Sequence, residues 1–303
     1  MLICTRCRAA HLDHCLRKVA GLRYPNFDVL VIDNSRGDAE TRKVAERWCV
    51  RYVVQAGGGL SHARNYGSRM TDADIVAYTD DDAFPDSQWL SALARQFADP
   101  LVMAVAGRTL ALRPSADGGA AELVSETADS PLPQRVVFDA HTPGWFELAN
   151  FGGIGDGMNM ALRLSAFDIC PGFDERLGRG AILGGYEEHH AFFSLIDRGY
   201  RVVYAPDAIV SHPFARSERE HRAHQITDTA ALTGYITLLL VEQPRYRRAL
   251  LSFVMRALRR ALPRLRRAQG TVPPGVIPRW TEPFLWLWGP VLYLRSLVSS
   301  GKH

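Results

Sequence analysis

Three consecutive acids, Asp80, Asp81 and Asp82, follow the apolar run Ile75, Val76, Ala77, Tyr78 with only Thr79 between. A short β-branched run that ends in acids reads as a buried strand carrying carboxylates to its own C-terminal edge. Adjacent anions repel one another, so an offsetting charge is required. A divalent cation held by hard oxygen ligands and bridging to phosphates meets that requirement. A second acidic pair, Glu187 and Glu188, offers a carboxylate for proton transfer. The plainer alternatives are an acidic surface turn ahead of Pro85 for the triplet, and a helix N-terminus that favours acids through its dipole for the pair.

The elements that must position these groups alternate along the chain. The pattern predicts strands at residues 2–4, 28–32, 51–54 and 75–79, and helices at 9–20, 38–48, 61–70 and 87–97, the third entered through Gly57, Gly58 and Gly59. Such βαβα order predicts a mostly parallel mixed sheet flanked by helices, with ligands beyond the carboxyl ends of the strands. Asp33 and the triplet would meet there. A strand follows at 102–108, and residues 113–145, rich in Pro, Gly, Ala and Asp, read as a long loop over a site. Asn159, Asp156 and the glycines at 152, 153, 155 and 157 are expected to open a helix whose N–H groups face an anion. Two short strands separated by Pro206 close the pattern, the second ending at His212, and beyond Phe214 the sequence is helical in character.

A length of 303 residues with 47% apolar content accommodates one large α/β domain and an appendage, and argues against wholesale disorder. Five cysteines form no disulfide framework and point to a reducing compartment. Neither a secretory leader nor a membrane-spanning run is expected, which places the chain on the cytoplasmic side. The net charge of +4 is unevenly placed: nine arginines and no acid lie between Arg245 and Arg267.

Seven motifs in order carry a family resemblance: CTR at 4–6, VIDNS at 31–35, LSHARNYG at 60–67, YTDDDAFPD at 78–86, GMNMALR at 157–163, GFDERLG at 172–178, and GYEEHHAFFSLIDRGYRVVYAPDAIVSH at 185–212. The chain resembles the family 2 glycosyltransferases. The resemblance implies an inverting enzyme of the GT-A (Rossmann-like) fold, using a UDP- or GDP-linked sugar with Mn2+ or Mg2+. It implies that Asp33 and Thr5 sit on the nucleotide side, and that Arg64 and Asn65 of the ARN element help to fix the nucleotide. Asp80 and Asp82 become the outer acids of the DxD element, with Asp80 toward the ribose and both near the metal. Asp81 takes the variable middle place on the donor side, and His212 joins the metal shell. Glu187 and Glu188 fall on the family's ED element, and which of them is the base is open, because Glu188 stands where Asp is usual. His189 and His190 would flank the acceptor site, and the segment lacks HExxH zinc spacing.

A catalytic region over residues 1–215 and a C-terminal helical region over 216–303 are the expected domains. In the tail, Leu250, Leu251, Val254, Leu258, Ala261 and Leu262 recur at helical spacing among arginines, the signature of a basic amphipathic helix on an anionic membrane. Apolar runs at 229–241 and 283–294, the latter with Phe284, Trp286, Trp288 and Tyr293, suit an interface but not a span. No recognition module accompanies the arginines, so nucleic acid is not an expected partner. The expected partners are a nucleotide-sugar donor, a glycan or lipid-linked acceptor, and the membrane surface. Two other readings stay open: a non-catalytic nucleotide-sugar-binding scaffold, and a sugar nucleotidyltransferase, which would have no use for Glu187 and Glu188.

Overall fold

Leu12, Cys15, Leu16 and Val19 recur at the spacing of one helical face, and that face is buried in helix α1, Ala9–Val19. It packs with Ile3 and Val31 of the first two strands and with Val44 of the next helix, α2 (Ala39–Arg47). The computed structural model describes residues 1–113, 122–126, 134–213, 218–267 and 282–300. These divide into two compact units, Met1–Glu175 with Glu187–Ala215, and Arg176–Tyr186 with Arg216–His303.

In the first unit, strands β1 (Leu2–Thr5), β2 (Leu30–Asp33), β3 (Arg51–Val54) and β4 (Ile75–Asp80) form the parallel part of a ten-stranded sheet. Eight strands lie in the order β3-β2-β1-β4-β9 (Met160–Arg163)-β6 (Val102–Arg113)-β10 (Arg201–Pro213)-β5 (Phe84–Pro85), with β7 (Glu122–Glu126) paired to β6 and β8 (Val136–Phe138) to β10 beside that path. Helices α2 (Ala39–Arg47) and α3 (Gly59–Ser68) make the crossovers, and Asp38 caps α2 by accepting from the Thr41 backbone N–H at 2.9 Å. Beyond β4 the sheet is mixed. Strand β9 (Met160–Arg163) runs antiparallel between β4 and β6 (Val102–Arg113), while β10 (Arg201–Pro213) is parallel to β6 and antiparallel to the two-residue β5, Phe84–Pro85.

Several expectations are corrected here. Residues 157–159 lead into strand β9 and not into a helix, because Met160, Ala161 and Leu162 fill an inner position of the sheet. The two short strands around Pro206 are one strand with a bulge, in which Ala205 pairs with Gly107 and Ile209 already pairs with Arg108. A bulge tolerates proline because its missing N–H has no ladder partner there. The region read as a loop contains β7 (Glu122–Glu126), β8 (Val136–Phe138) and the start of α5 (Trp145–Phe151). Its remainder at 114–121 and 127–133 lies outside the described residues. Helix α4 is confined to Trp89–Ala94 and tightens into a 3-10 turn, Arg95–Ala98.

Asn159 joins this sheet crosswise. Its side-chain amide donates to the carbonyls of Arg108 and Ala208, each at 2.9 Å, and its carbonyl accepts from the Trp89 indole at 2.8 Å. Trp89, Asn159 and Ala208 are shut from water, where polar groups need hydrogen-bond partners, and Asn159 supplies them.

The second unit is helical: α8 (Glu218–Glu242), α9 (Arg247–Arg267) and α10 (Glu282–Ser300). Helices α8 and α10 cross closely at Gly289, where a Cβ would come within 2.3 Å of the Thr233 backbone. Tyr293 of α10 donates to Glu242 at 2.9 Å, and Arg176 pairs with the same carboxylate. Among the described residues no helix is long and apolar enough to cross a membrane.

Replacing Asn159 with alanine removes its bonds to the buried Trp89 N–H and to the Arg108 and Ala208 carbonyls, so a loss of about 2–5 kcal/mol is expected in urea unfolding. A loss under about 1 kcal/mol would show that the cross-strand amide is not a structural joint.

Candidate active site

The parallel strands β1, β2 and β4 all end at one edge, which brings Thr5, Asp33 and Asp80 to the same side, with Thr5 in register with Asp33. Because β9 is antiparallel to β4 and Met160 pairs with Tyr78, the turn that precedes β9 arrives at this edge too. Helix α7 (Glu187–Asp197) begins there with its two glutamates, held by Phe193, which stacks on Trp145 at 5.9 Å and meets Phe146 edge-on.

Arg64 of α3 sits at the centre. Its side chain is 3% exposed, and its guanidinium donates to Glu187 at 3.0 Å and to the Gly157 carbonyl at 2.9 Å, with Asp80 at 3.5 Å. It is therefore no solvated helix residue. Gly157 admits this approach because any Cβ there would lie 2.9 Å from the guanidinium. The Gly157 N–H in turn donates to Glu188 at 3.3 Å, and His189 lies 3.5 Å from the same carboxylate.

The triplet divides its tasks. Asp81, assigned only a variable place on the donor side by sequence, is buried: it accepts from Thr5 Oγ1 at 2.6 Å and pairs with Arg8 at 2.8 Å. Burial pushes its carboxyl up to about 6. Asp82 pairs with Arg8 and with His212 Nε2 at 3.2 Å. Burial alone would raise its pKa, but His212 and Arg8 outweigh burial and hold the carboxyl well below the usual range. Asp80 faces Arg64, and burial nonetheless raises its pKa. Among the described residues no three His, Cys, Asp or Glu side chains close around one point as a complete metal shell.

Two sequence candidates are tied into the scaffold. Asp33 accepts from the backbone N–H groups of Ser35 and Asp38 at 3.0 and 2.9 Å and from the Tyr52 hydroxyl, so its carboxylate organises the turn after β2. Asn65 donates to the Phe173 carbonyl and to Glu175, and accepts from the Phe173 N–H. Its amide holds the 172–175 loop. Arg8 was not singled out from the sequence; the available signal was a basic residue placed between β1 and α1, at the edge where the acids gather.

Burial and the neighbouring Glu188 push the Glu187 carboxyl up to about 7 against the pull of Arg64. Burial also disfavours charge on Glu188, yet His189 and Arg64 outweigh it and lower that carboxyl. The pair thus splits into a proton-retaining member and an ionised one, the arrangement that separates acid from base roles.

A profile described as Glycosyl transferase family 2 matches residues 1–167, more than half of the chain. The chain belongs to glycosyl transferase family 2. Among curated relatives of this family 2 chain, the pre-mycofactocin glycosyltransferase of Mycobacterium tuberculosis is 27% identical over 215 residues, covering 70% of this chain and 42% of that protein. Glycosyltransferase AglE of Haloferax volcanii is 24% identical over 213 residues, covering 68% and 63%. The chain thus spans less than two thirds of the length of these relatives. Its fold is shared with the mannosyltransferase PcManGT of Pyrobaculum calidifontis, solved with GDP-Man and Mn2+, at TM-score 0.55 and 18% identity over 99% of this chain and 74% of that one. It is shared also with S. aureus TarS 1–349, solved with UDP-GlcNAc, at TM-score 0.53 and 13% identity over 78% and 65%.

The raised Glu187 carboxyl has a stability consequence. Native Glu187 keeps its proton to about 7, whereas its ordinary value is 4.5, so in that window the native state binds more protons and its contribution to stability falls as pH rises. The stability of Glu187→Gln relative to wild type should accordingly improve by about 1–3 kcal/mol between those two pH values. Denaturant unfolding across the window measures this, and parallel curves for the two proteins would contradict it.

Proposed function

We propose that this family 2 chain is an inverting, metal-dependent glycosyltransferase that moves a sugar from a UDP- or GDP-sugar to an acceptor hydroxyl, and that its helical unit rests on an anionic membrane surface. The observation that carries the catalytic reading is the gathering of Asp80, Glu187 and the Glu188-bound turn around Arg64, beside Asp82 and His212. Solved relatives of the same fold that hold GDP-Man with Mn2+, or UDP-GlcNAc, support the donor class and the cation.

The donor set fits a hard cation. Carboxylate and imidazole ligands are available at Asp82 and His212, and a guanidinium already stands against Asp81 and Asp82 as a cation would. A partial protein shell suits an ion that completes its coordination with phosphate oxygens and water. When bound, Mn2+ or Mg2+ neutralises charge on the leaving diphosphate.

The chain's own residues do the rest. Glu188, ionised and backed by the Gly157 N–H, takes the proton of the acceptor hydroxyl as its oxygen bonds to the anomeric carbon. The anomeric carbon to phosphate-oxygen bond breaks on the opposite face, the nucleoside diphosphate leaves with the electron pair, and the configuration inverts. Glu187, committed to Arg64, positions that guanidinium and the turn it holds. The acceptor is a hydroxyl on a glycan or a lipid-linked glycan, and the site works at the cytoplasmic face.

The membrane reading rests on side chains left uncovered within the helical unit. Leu251, Met255 and Leu258 of α9 are 53%, 51% and 38% exposed on one face, with Arg248, Arg256 and Arg259 around them. On α10, Trp288, Val291, Leu294 and Val298 form a second exposed stripe. The structure describes the backbone but not the side chains of Ala261, Leu262, Phe284 and Trp286.

With a panel of UDP- and GDP-sugars and Mn2+, Asp82→Asn and Glu188→Gln are each expected to slow release of nucleoside diphosphate by about 10²–10⁴-fold, while Glu188→Gln still binds donor. Undiminished release in both variants would sink the assignment. Sedimentation with vesicles gives the second test. Binding to anionic phospholipid but not to neutral phosphatidylcholine is expected, weakened roughly a hundredfold when Arg248, Arg256 and Arg259 all become glutamine. Equal sedimentation with both lipids would refute the membrane reading.

A further inference from the structure

The two arginines that face the acids are built differently. Arg64 is 3% exposed and anchored to Glu187 and a backbone carbonyl, whereas the Arg8 side chain is 40% exposed and its described partners are Asp81 and Asp82. Arg8 stands in the short connection between β1 and α1, directly after Cys7, whose φ of 52° is unusual for a residue with a side chain. Such a backbone is held only where its surroundings require it. Asp81 is buried and Asp82 is partly buried at 20% exposure, and carboxylates withdrawn from water need a counter-charge. One guanidinium reaches two carboxylates because its fork presents two parallel donors, Nη1 to Asp81 and Nη2 to Asp82.

We propose that Arg8 is a resident counter-ion that occupies the cation's electrostatic place on Asp81 and Asp82 before donor arrives, and is handed to the donor's diphosphate when the cation binds. The inference rests on the donor reading given above and adds a residue and a sequence of events to it. A divalent ion arriving alone must displace Arg8 from Asp82 and leave its Nη2 without an anion, with only Asp81 still paired to Nη1. An ion arriving with a nucleoside diphosphate supplies a new anion whose geometry the guanidinium fork matches. The cation alone therefore binds weakly, and cation and nucleotide bind cooperatively. Because coupling is reciprocal, the same residue that weakens the lone cation strengthens the nucleotide complex.

The test is a titration of the full chain with Mn2+ alone, followed by paramagnetic resonance of the free ion, then with UDP or GDP at saturating Mn2+. Arg8→Gln should bind Mn2+ alone about tenfold more tightly than wild type and bind the better of the two nucleotides about tenfold more weakly, in a protein with wild-type circular dichroism. Arg8→Lys retains the charge but loses the fork, so it should tighten Mn2+ by a few fold, and it decides the matter if Arg8→Gln does not fold. Unchanged or weakened Mn2+ binding in the folded variant overturns the proposal. If wild type binds neither nucleotide, the donor reading fails, and the Mn2+-alone comparison still decides the place of Arg8.

Discussion

A charged guanidinium enclosed by protein is the constraint around which the site is organised. Arg64 joins α3 to the end of β4 through Asp80, to the turn before β9 through the Gly157 carbonyl, and to the start of α7 through Glu187. Burying such a group is unfavourable unless its donors are met, so each partner is fixed in place by the others. The arrangement contributes little net stability compared with an apolar core of equal volume. What it contributes is geometry: three elements distant in the chain are locked to one point, and the carboxylate of Glu188 hangs from the same turn.

The charge at this edge is otherwise one-sided. Asp80, Asp81, Asp82, Glu187 and Glu188 face the inner arginine Arg64 and the outer one Arg8, with His212 and His189 beside them. A folded protein has to offset such an excess of like charge. An enclosed inner arginine and a more exposed outer one offset part of it. The scaffold beneath is apolar, with Trp89, Val105, Ala161, Val203 and Val210 in one buried cluster.

Much of the first unit was legible in the sequence. The strand at 51–54, the helix α1, the acids at the end of β4 and the glutamates opening α7 follow from β-branched runs, helical spacing of apolar residues and acids at element ends. These are local signals, and local backbone preference obeys them. The misreadings have a common origin. Residues 157–163 form an inner strand because neighbours on both sides offer hydrogen bonds, and the bulge at Pro206 is tolerated because β6 continues past it. Neither neighbour is visible from the segment itself.

The sequence alone determined which residue types could do chemistry at one sheet edge, and through its ordered motifs the family to which the chain belongs. It did not determine how those residues divide the work. Arg64 meets Glu187 across 123 positions and Arg8 meets Asp82 across 74, and only the folded chain made Arg64 an enclosed anchor, tied Asp33 to the turn after β2 and Asn65 to the 172–175 loop, and set Arg8 against the acids. Periodicity reports which face of an element is buried. The partner of a buried charge is chosen by the packing of elements far apart in the chain, and that information exists only in three dimensions.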